Sequence, residues 1–147
     1  MPRGNVNMLY YFCYGAPLMD RSLDRRVDTL RLEGQGRLDG FRMSFSGEGG
    51  KPNLEAAAGV RTWGCLYLVD ERKLPDLDKE EPGAERRTGT ASFEGRPERC
   101  VFYVHPPQSK DKPSKAFLEG LRGVYLQASL PQAQIDQALS PAGAGSL

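Results

Sequence analysis

Two short stretches carry residue types that could act on a small molecule. The first is YFCYGAPL, residues 11–18, an apolar, aromatic run that stops at a glycine. A glycine there lets the chain turn and lets a ligand come close to the backbone. The amide hydrogens of Gly15, Ala16 and Leu18 can then point into one space, and such a concavity of N–H groups binds anions. Pro17 has no N–H and stiffens the turn. The plainer reading is an ordinary turn that leads into a helix. The second stretch is LDKEEPG, residues 77–83. Glu80 and Glu81 end a predicted helix, and helix C-termini are electronegative. A carboxylate held there has a raised pKa, which suits a proton shuttle near neutral pH. The plainer reading is a solvated acidic run, DKEE. An active site requires both stretches to close over one small guest, although they lie far apart in the chain.

Other reactive types offer less. Cys13, Cys65 and Cys100 are 3 in number and lack CxxC spacing. That argues against a disulfide framework or a zinc site. Each sits in a strand-like run and reads as a small buried core residue. Cys13 adjoins the glycine turn, which leaves a nucleophilic role open. His105 is the single histidine and has no spaced acid or thiol partner, so it reads as a satisfied or exposed imidazole. Trp63 reads as a core residue within a strand. Tyr10, Tyr14 and Tyr103 could line a pocket or could be core aromatics with satisfied hydroxyls.

The elements that must position these residues form one domain over 1–147, with a core of about 8–139 and a flexible tail at 140–147. A chain of 147 residues loses roughly 70% of its unfolded surface on folding. Hydrophobic residues make up 39% and charged residues 27%, and 20 basic against 19 acidic side chains leave a net charge of +1. This balance suggests neither a nucleic-acid nor an acidic-membrane partner. Arg21, Arg25, Arg26 and Arg31 are interleaved with Asp20, Asp24, Asp28 and Glu33, which reads as a solvated helix face. The N-terminal MPRGNVN is polar and unlike a signal peptide. No run approaches the ~20 apolar residues of a membrane-spanning helix. A cytoplasmic location follows as the default expectation.

NMLYYFCYG predicts a strand buried on both faces. Asp20 can cap a short helix through about Val27. GRLDGFRMSFSG predicts a bent strand with a bulge at Gly40. GEGGKPN has the composition of a flexible loop. The pattern at Val60, Trp63, Cys65, Tyr67 and Val69 predicts a central strand, with Gly64 where something approaches closely. Asp70 caps a helix that ends near Glu81, because Pro82 disfavours α geometry before it. RRTGTASFEGRPERCVFYVHPP predicts two strands joined at Gly95-Arg96-Pro97. Pro113 at N1 opens a helix with Phe117, Leu118, Leu121, Val124 and Tyr125 on one stripe. Ser129 and Pro131 open another, carrying Ile135 and Leu139. The order lacks regular βαβ alternation. An α+β domain around a mainly antiparallel, curved or barrel-like sheet fits it.

Five segments in order resemble one family. YFCYGAPL resembles the Tyr-Phe-x-Tyr-Gly-Ser-Asn-Leu signature of the γ-glutamylcyclotransferase-like family, which includes the AIG2-like proteins. GQGRLDGFRMSF (34–45), AGVRTWGCLYLVDERKLPDLDKEEPG (58–83), CVFYV and SLPQAQIDQAL resemble its later segments. Together they cover about residues 9–139. The resemblance implies a small mixed, mostly antiparallel β-barrel with flanking helices. It implies a transferase- or lyase-like reaction in which the α-amine of a γ-glutamyl group attacks its own γ-carbonyl carbon. That closes 5-oxoproline and expels an amine or amino acid, with no metal or cofactor. The partner is then a small γ-glutamyl compound. By motif position Glu81 is the proton shuttle, with Glu80 its rival, and Tyr14, Gly15, Ala16, Pro17, Leu18 and Tyr103 contact the substrate. The chain departs from the signature in having Ala16-Pro17 for Ser-Asn and Pro82 after the acid. The first change removes a hydroxyl, a side-chain amide and one backbone donor. An alternative drawn from these departures is a non-catalytic small-ligand-binding module that keeps the cavity but has lost turnover. A plain protein-interaction domain would instead have a filled barrel.

Overall fold

The computed structural model describes residues 7–15, 18, 23–27, 30–47, 49–106 and 111–140. Ala16, Pro17, the expected cap Asp20 and the expected tail beyond 140 lie outside the described residues. Five strands form a closed barrel: β1 (Met8–Cys13), β2 (Arg31–Ser46), β3 (Lys51–Asp70), β4 (Glu85–Phe93) and β5 (Arg96–Val104). Their order is β1-β3-β2-β4-β5. Every pairing is antiparallel except the closing one, where β1 meets β5 in parallel through Tyr10↔Cys100 and Tyr11↔Val101. Helices α1 (Leu23–Arg26), α2 (Leu74–Asp78), α3 (Lys115–Gln127) and α4 (Gln132–Leu139) flank it. This is the mixed, mostly antiparallel barrel with flanking helices that the family resemblance implies, and it fits the mainly antiparallel, barrel-like sheet expected from the order of elements. Among the described residues no helix is long and apolar enough to cross a membrane.

The period of two in a strand explains the two-sided burial of β1. Phe12 and Tyr14 join the cluster that fills the barrel and extends to Leu121, Tyr125 and Ile135 of α3 and α4. Tyr11 and Cys13 face an outer cluster with Leu23, Val69, Leu77 and Tyr103, beneath α1 and α2. Phe12, Leu66 and Phe102 are fully buried. Burying such a side chain stabilises by about 1.5–3 kcal/mol.

Gly40, at φ 84°, sits where the β2–β3 register shifts between Asp39 and Phe41. The bulge moves the inward side chains from even positions (Leu38) to odd ones (Met43, Phe45). A Cβ on Gly64 would lie 2.6 Å from the Cys13 carbonyl oxygen and the Phe12 ring, so the expected close approach is β1 itself.

Several boundaries move from their expected places. Gly47 and Gly50 close a tight turn: the Gly50 N–H donates to the Gly47 carbonyl (3.0 Å). A Cβ on Gly50 would lie 2.5 Å from the backbone at Lys112 and Pro113, so packing holds what composition alone marks as flexible. The β4–β5 hairpin turns at Glu94-Gly95, both at positive φ, as a two-residue reversal that matches strand twist requires. Arg96 and Pro97 already belong to β5, opposite Phe93 and Ser92. The α3 cap is Ser114, whose hydroxyl accepts from the Phe117 N–H (3.1 Å), and Pro113 precedes it. Ser129, at φ 60°, terminates α3, with the Leu130 N–H closing back on the Tyr125 carbonyl (2.8 Å). Arg31 and Glu33 pair at 2.8 Å on β2, not on a helix.

Candidate active site

A cavity of about 280 Å³ opens beside the end of β1. Five separate segments line it: Tyr11 to Gly15, α1, the first residues of β3, the turn after α2, and the end of β5. The sequence builds that turn locally. Asp70 caps a 3₁₀ turn (Glu71–Lys73), its carboxylate accepting from the Arg72 N–H (2.9 Å). Pro75 follows in the first turn of α2, which ends at Asp78. The Glu81 N–H then donates to the Asp78 carbonyl (3.1 Å) and the Glu81 carbonyl accepts from the Ala84 N–H (3.1 Å). Glu81 is thus folded inward on a turn three residues beyond the helix, where the expected helix end would have carried it.

The two neighbouring acids differ. Glu80 is held by Arg26 of α1, whose Nη2 lies 2.6 Å from its carboxylate. Glu81 turns into the cavity, its side chain only 15% exposed. Burial pushes its pKa up from 4.5 to about 7, and the charge of Glu80 pushes the same way. Lys51 and a hydrogen bond with Tyr11 oppose the rise. The cause is desolvation and a like charge, not the helix end invoked from sequence. His105 Nε2 lies 3.7 Å from Glu81 Oε1. Burial and Lys51 lower the imidazole's pKa, so it is neutral at pH 7 and the contact is not an ion pair. Asn53 fixes the His105 backbone from both sides: its Oδ1 accepts from the His105 N–H (3.0 Å) and its Nδ2 donates to the His105 carbonyl (3.3 Å).

The expected residues divide. Glu81, Tyr14, Gly15 and Tyr103 all line this one cavity. The Tyr14 hydroxyl donates to the Tyr103 carbonyl (2.6 Å), which ties β1 to β5 at the cavity wall. The Tyr103 hydroxyl donates to Asp78 (2.5 Å), itself bound by Arg86. Leu18 does not line the cavity, and its N–H is spent on the Gly15 carbonyl (2.9 Å). It packs instead against both cores. Protein packing alone demands glycine at position 15: a Cβ there would lie 2.7 Å from Pro52 Cβ. Tyr10 packs on Phe93 (centroids 5.6 Å apart) and does not line the cavity. Burial drives the Cys13 thiol far above its ordinary pKa, which removes the thiolate a nucleophile needs. Trp63 is only partly buried, with the Arg37 guanidinium 4.8 Å from its ring.

Among the polar residues of the lining, sequence reasoning missed Tyr11, Lys51, His105 and Arg26. The strand period could have found Tyr11, because it shares a face with Cys13. Nothing in sequence spacing marks Lys51 or Arg26. Among the described residues no group of three or more His, Cys, Asp or Glu side chains gathers to hold a metal.

The family model for gamma-glutamyl cyclotransferase, AIG2-like, matches residues 11–120. The chain belongs to that family. The match spans every segment that lines the cavity. A sequence search of curated proteins found no match. Among solved structures, one named gamma-glutamyl cyclotransferase superposes with a TM-score of 0.78 at 18% identity, over 91% of this chain and 89% of its own. An uncharacterised Homo sapiens protein gives 0.76 at 19% identity, over 90% and 88%. YkqA from Bacillus subtilis gives 0.70 at 19% identity, over 90% of this chain and 54% of its own. At these identities the structural likeness speaks for the γ-glutamyl cyclotransferase fold.

Proposed function

We propose that this protein cyclises a γ-glutamyl group to 5-oxoproline and releases an amine or amino acid, with Glu81 as proton shuttle. The supporting observation is that Glu81 is buried in the small cavity it shares with the Tyr14–Gly15 bend, with a pKa near 7. Its ionised form takes a proton from the substrate's α-ammonium. The freed amine attacks the γ-carbonyl carbon, and the N–C bond closes the five-membered ring. Glu81 returns a proton to the leaving nitrogen as the old C–N bond breaks. The attack is intramolecular, so the protein's main task is to hold the folded substrate in the reactive shape. Tyr14 and Tyr103, braced against one another, wall the same space.

The test is incubation with a panel of γ-glutamyl amines and γ-glutamyl amino acids, with detection of 5-oxoproline. Glu81→Gln keeps the shape of the site and removes the shuttle. Turnover is expected to fall by about 10²–10⁴-fold, the usual contribution of a general acid–base. Wild-type turnover in the Glu81→Gln variant would remove Glu81 from the role. Binding without release by the wild type would instead make the protein a ligand-binding module.

A further inference from the structure

The proposed substrate carries an anion that the bend alone is poorly equipped to hold. Every γ-glutamyl compound has a carboxylate on the carbon that bears the attacking amine. The bend was the expected receptor for it. Pro17 has no N–H to offer, and the Leu18 N–H already donates to the Gly15 carbonyl (2.9 Å). Two of the donors that such a cradle would use are therefore gone.

A cation stands next to the depleted cradle. Lys51 opens β3 and lines the same cavity as Glu81, Gly15 and His105. Its position is fixed from both sides. The next residue, Pro52, packs so closely on Gly15 that a Cβ there would lie 2.7 Å away. The preceding residue, Gly50, is pressed against the backbone of Lys112 and Pro113. Lys51 has no carboxylate within ion-pair distance among the described residues, whereas the neighbouring cation Arg26 is engaged by Glu80 at 2.6 Å. Its charge reaches the centre of the site, since it acts on both Glu81 and His105.

We propose that Lys51 is the receptor for the α-carboxylate of the γ-glutamyl group, and so restricts substrates to those in which that carboxylate is free. This rests on the cyclase reading above. The amine and the carboxylate share one carbon, so a substrate with its amine at Glu81 presents the carboxylate to a cation beside Glu81. The carboxylate of a leaving amino acid is not common to the class, because γ-glutamyl amines lack it.

The experiment compares wild type, Lys51→Met and Lys51→Arg on three substrates. These are a γ-glutamyl alkylamine, a γ-glutamyl amino acid, and the alkylamide whose α-carboxylate is converted to a carboxamide. A charge-assisted contact is worth enough that Lys51→Met should raise KM by about 10- to 100-fold. The rise should be equal for the first two substrates, with kcat changed far less and Lys51→Arg partly restoring KM. The carboxamide should be poor for wild type and indifferent to the substitution. Lys51 is exposed, so matched melting temperatures are expected. An unchanged KM in Lys51→Met overturns the proposal and leaves the cyclase reading standing. A rise confined to the γ-glutamyl amino acid also overturns it, because Lys51 would then read the leaving group. No 5-oxoproline from any substrate with wild type overturns both.

Discussion

Glu80 and Glu81 are adjacent, of one residue type, and the fold treats them oppositely. An exposed ion pair such as Arg26–Glu80 adds little stability. Its consequence here is local: it keeps one negative charge next to Glu81 and so raises that carboxyl's proton affinity. The base form of Glu81 is populated above its pKa of about 7, so kcat/KM should rise with pH through that region. Glu80→Gln removes the repelling charge. The acid limb of the pH–rate profile should then move to lower pH while turnover persists. Loss of turnover at every pH in that variant would make Glu80 the shuttle. Stability runs the other way. Because the folded-state pKa of Glu81 lies above its ordinary 4.5, protonation favours the fold. That contribution is complete below about pH 4.5 and is lost as pH rises through 7. The difference amounts to about 3 kcal/mol at pH 8. Glu81→Gln should therefore melt higher than wild type at pH 8, with the gap closing toward pH 4. Thermal melts at the two pH values check it.

At the scale of elements, one contact joins the bend to the strand that carries Lys51. Gly15→Ala would place a Cβ 2.7 Å from Pro52, so the two segments must separate. Overpacking of this kind costs about 1–3 kcal/mol. The variant should unfold at lower denaturant, and its KM should rise because Lys51 and the bend move apart. An unchanged unfolding midpoint would show that the bend yields freely. This contact also shows what the sequence could and could not carry. The strand β1, the bulge at Gly40 and the cap at Asp70 are written in local pattern, through strand period, glycine placement and a side chain that bonds its own backbone, whereas the pairing of an acid with the Gly15 bend was legible only through the family resemblance. The partner of Gly15 is Pro52, which no spacing rule connects to it. The place of Gly50 is set by the backbone at Lys112 and Pro113, far along the chain. His105 reads as idle because its neighbours Asn53 and Glu81 arrive from elements distant in the chain. Local pattern therefore offered the acid and the bend as candidates and the family motif joined them, while the residues that tune them were set by tertiary contact.

At the scale of the whole molecule, strand alternation on β5 separates stability from chemistry. On β5, Phe102 and Val104 point into the barrel core, whereas Tyr103 and His105 line the cavity. On β1 the separation is incomplete: the cavity takes Tyr11 and Cys13 from the outer face but also Phe12 and Tyr14 from the barrel face. Phe102 is fully buried, meets Phe41 edge-on with centroids 5.0 Å apart, and fills the space left by the missing side chain of Gly89. Phe102→Ala should cost about 3–5 kcal/mol through lost transfer energy and an unfilled cavity. The site draws on five segments that meet only when β1 and β5 close the barrel, so an unfolded molecule contributes no activity. A folded molecule of the variant still presents Tyr103 and His105 from the opposite face of β5, and Glu81 from the turn after α2. Well below its melting temperature the variant should therefore keep a KM close to wild type, while its melting temperature falls by several degrees. Paired melting curves and initial rates at low temperature test this. A KM that rises as steeply as stability falls would mean that the barrel core sets the shape of the site, and that the two faces of β5 are not independent.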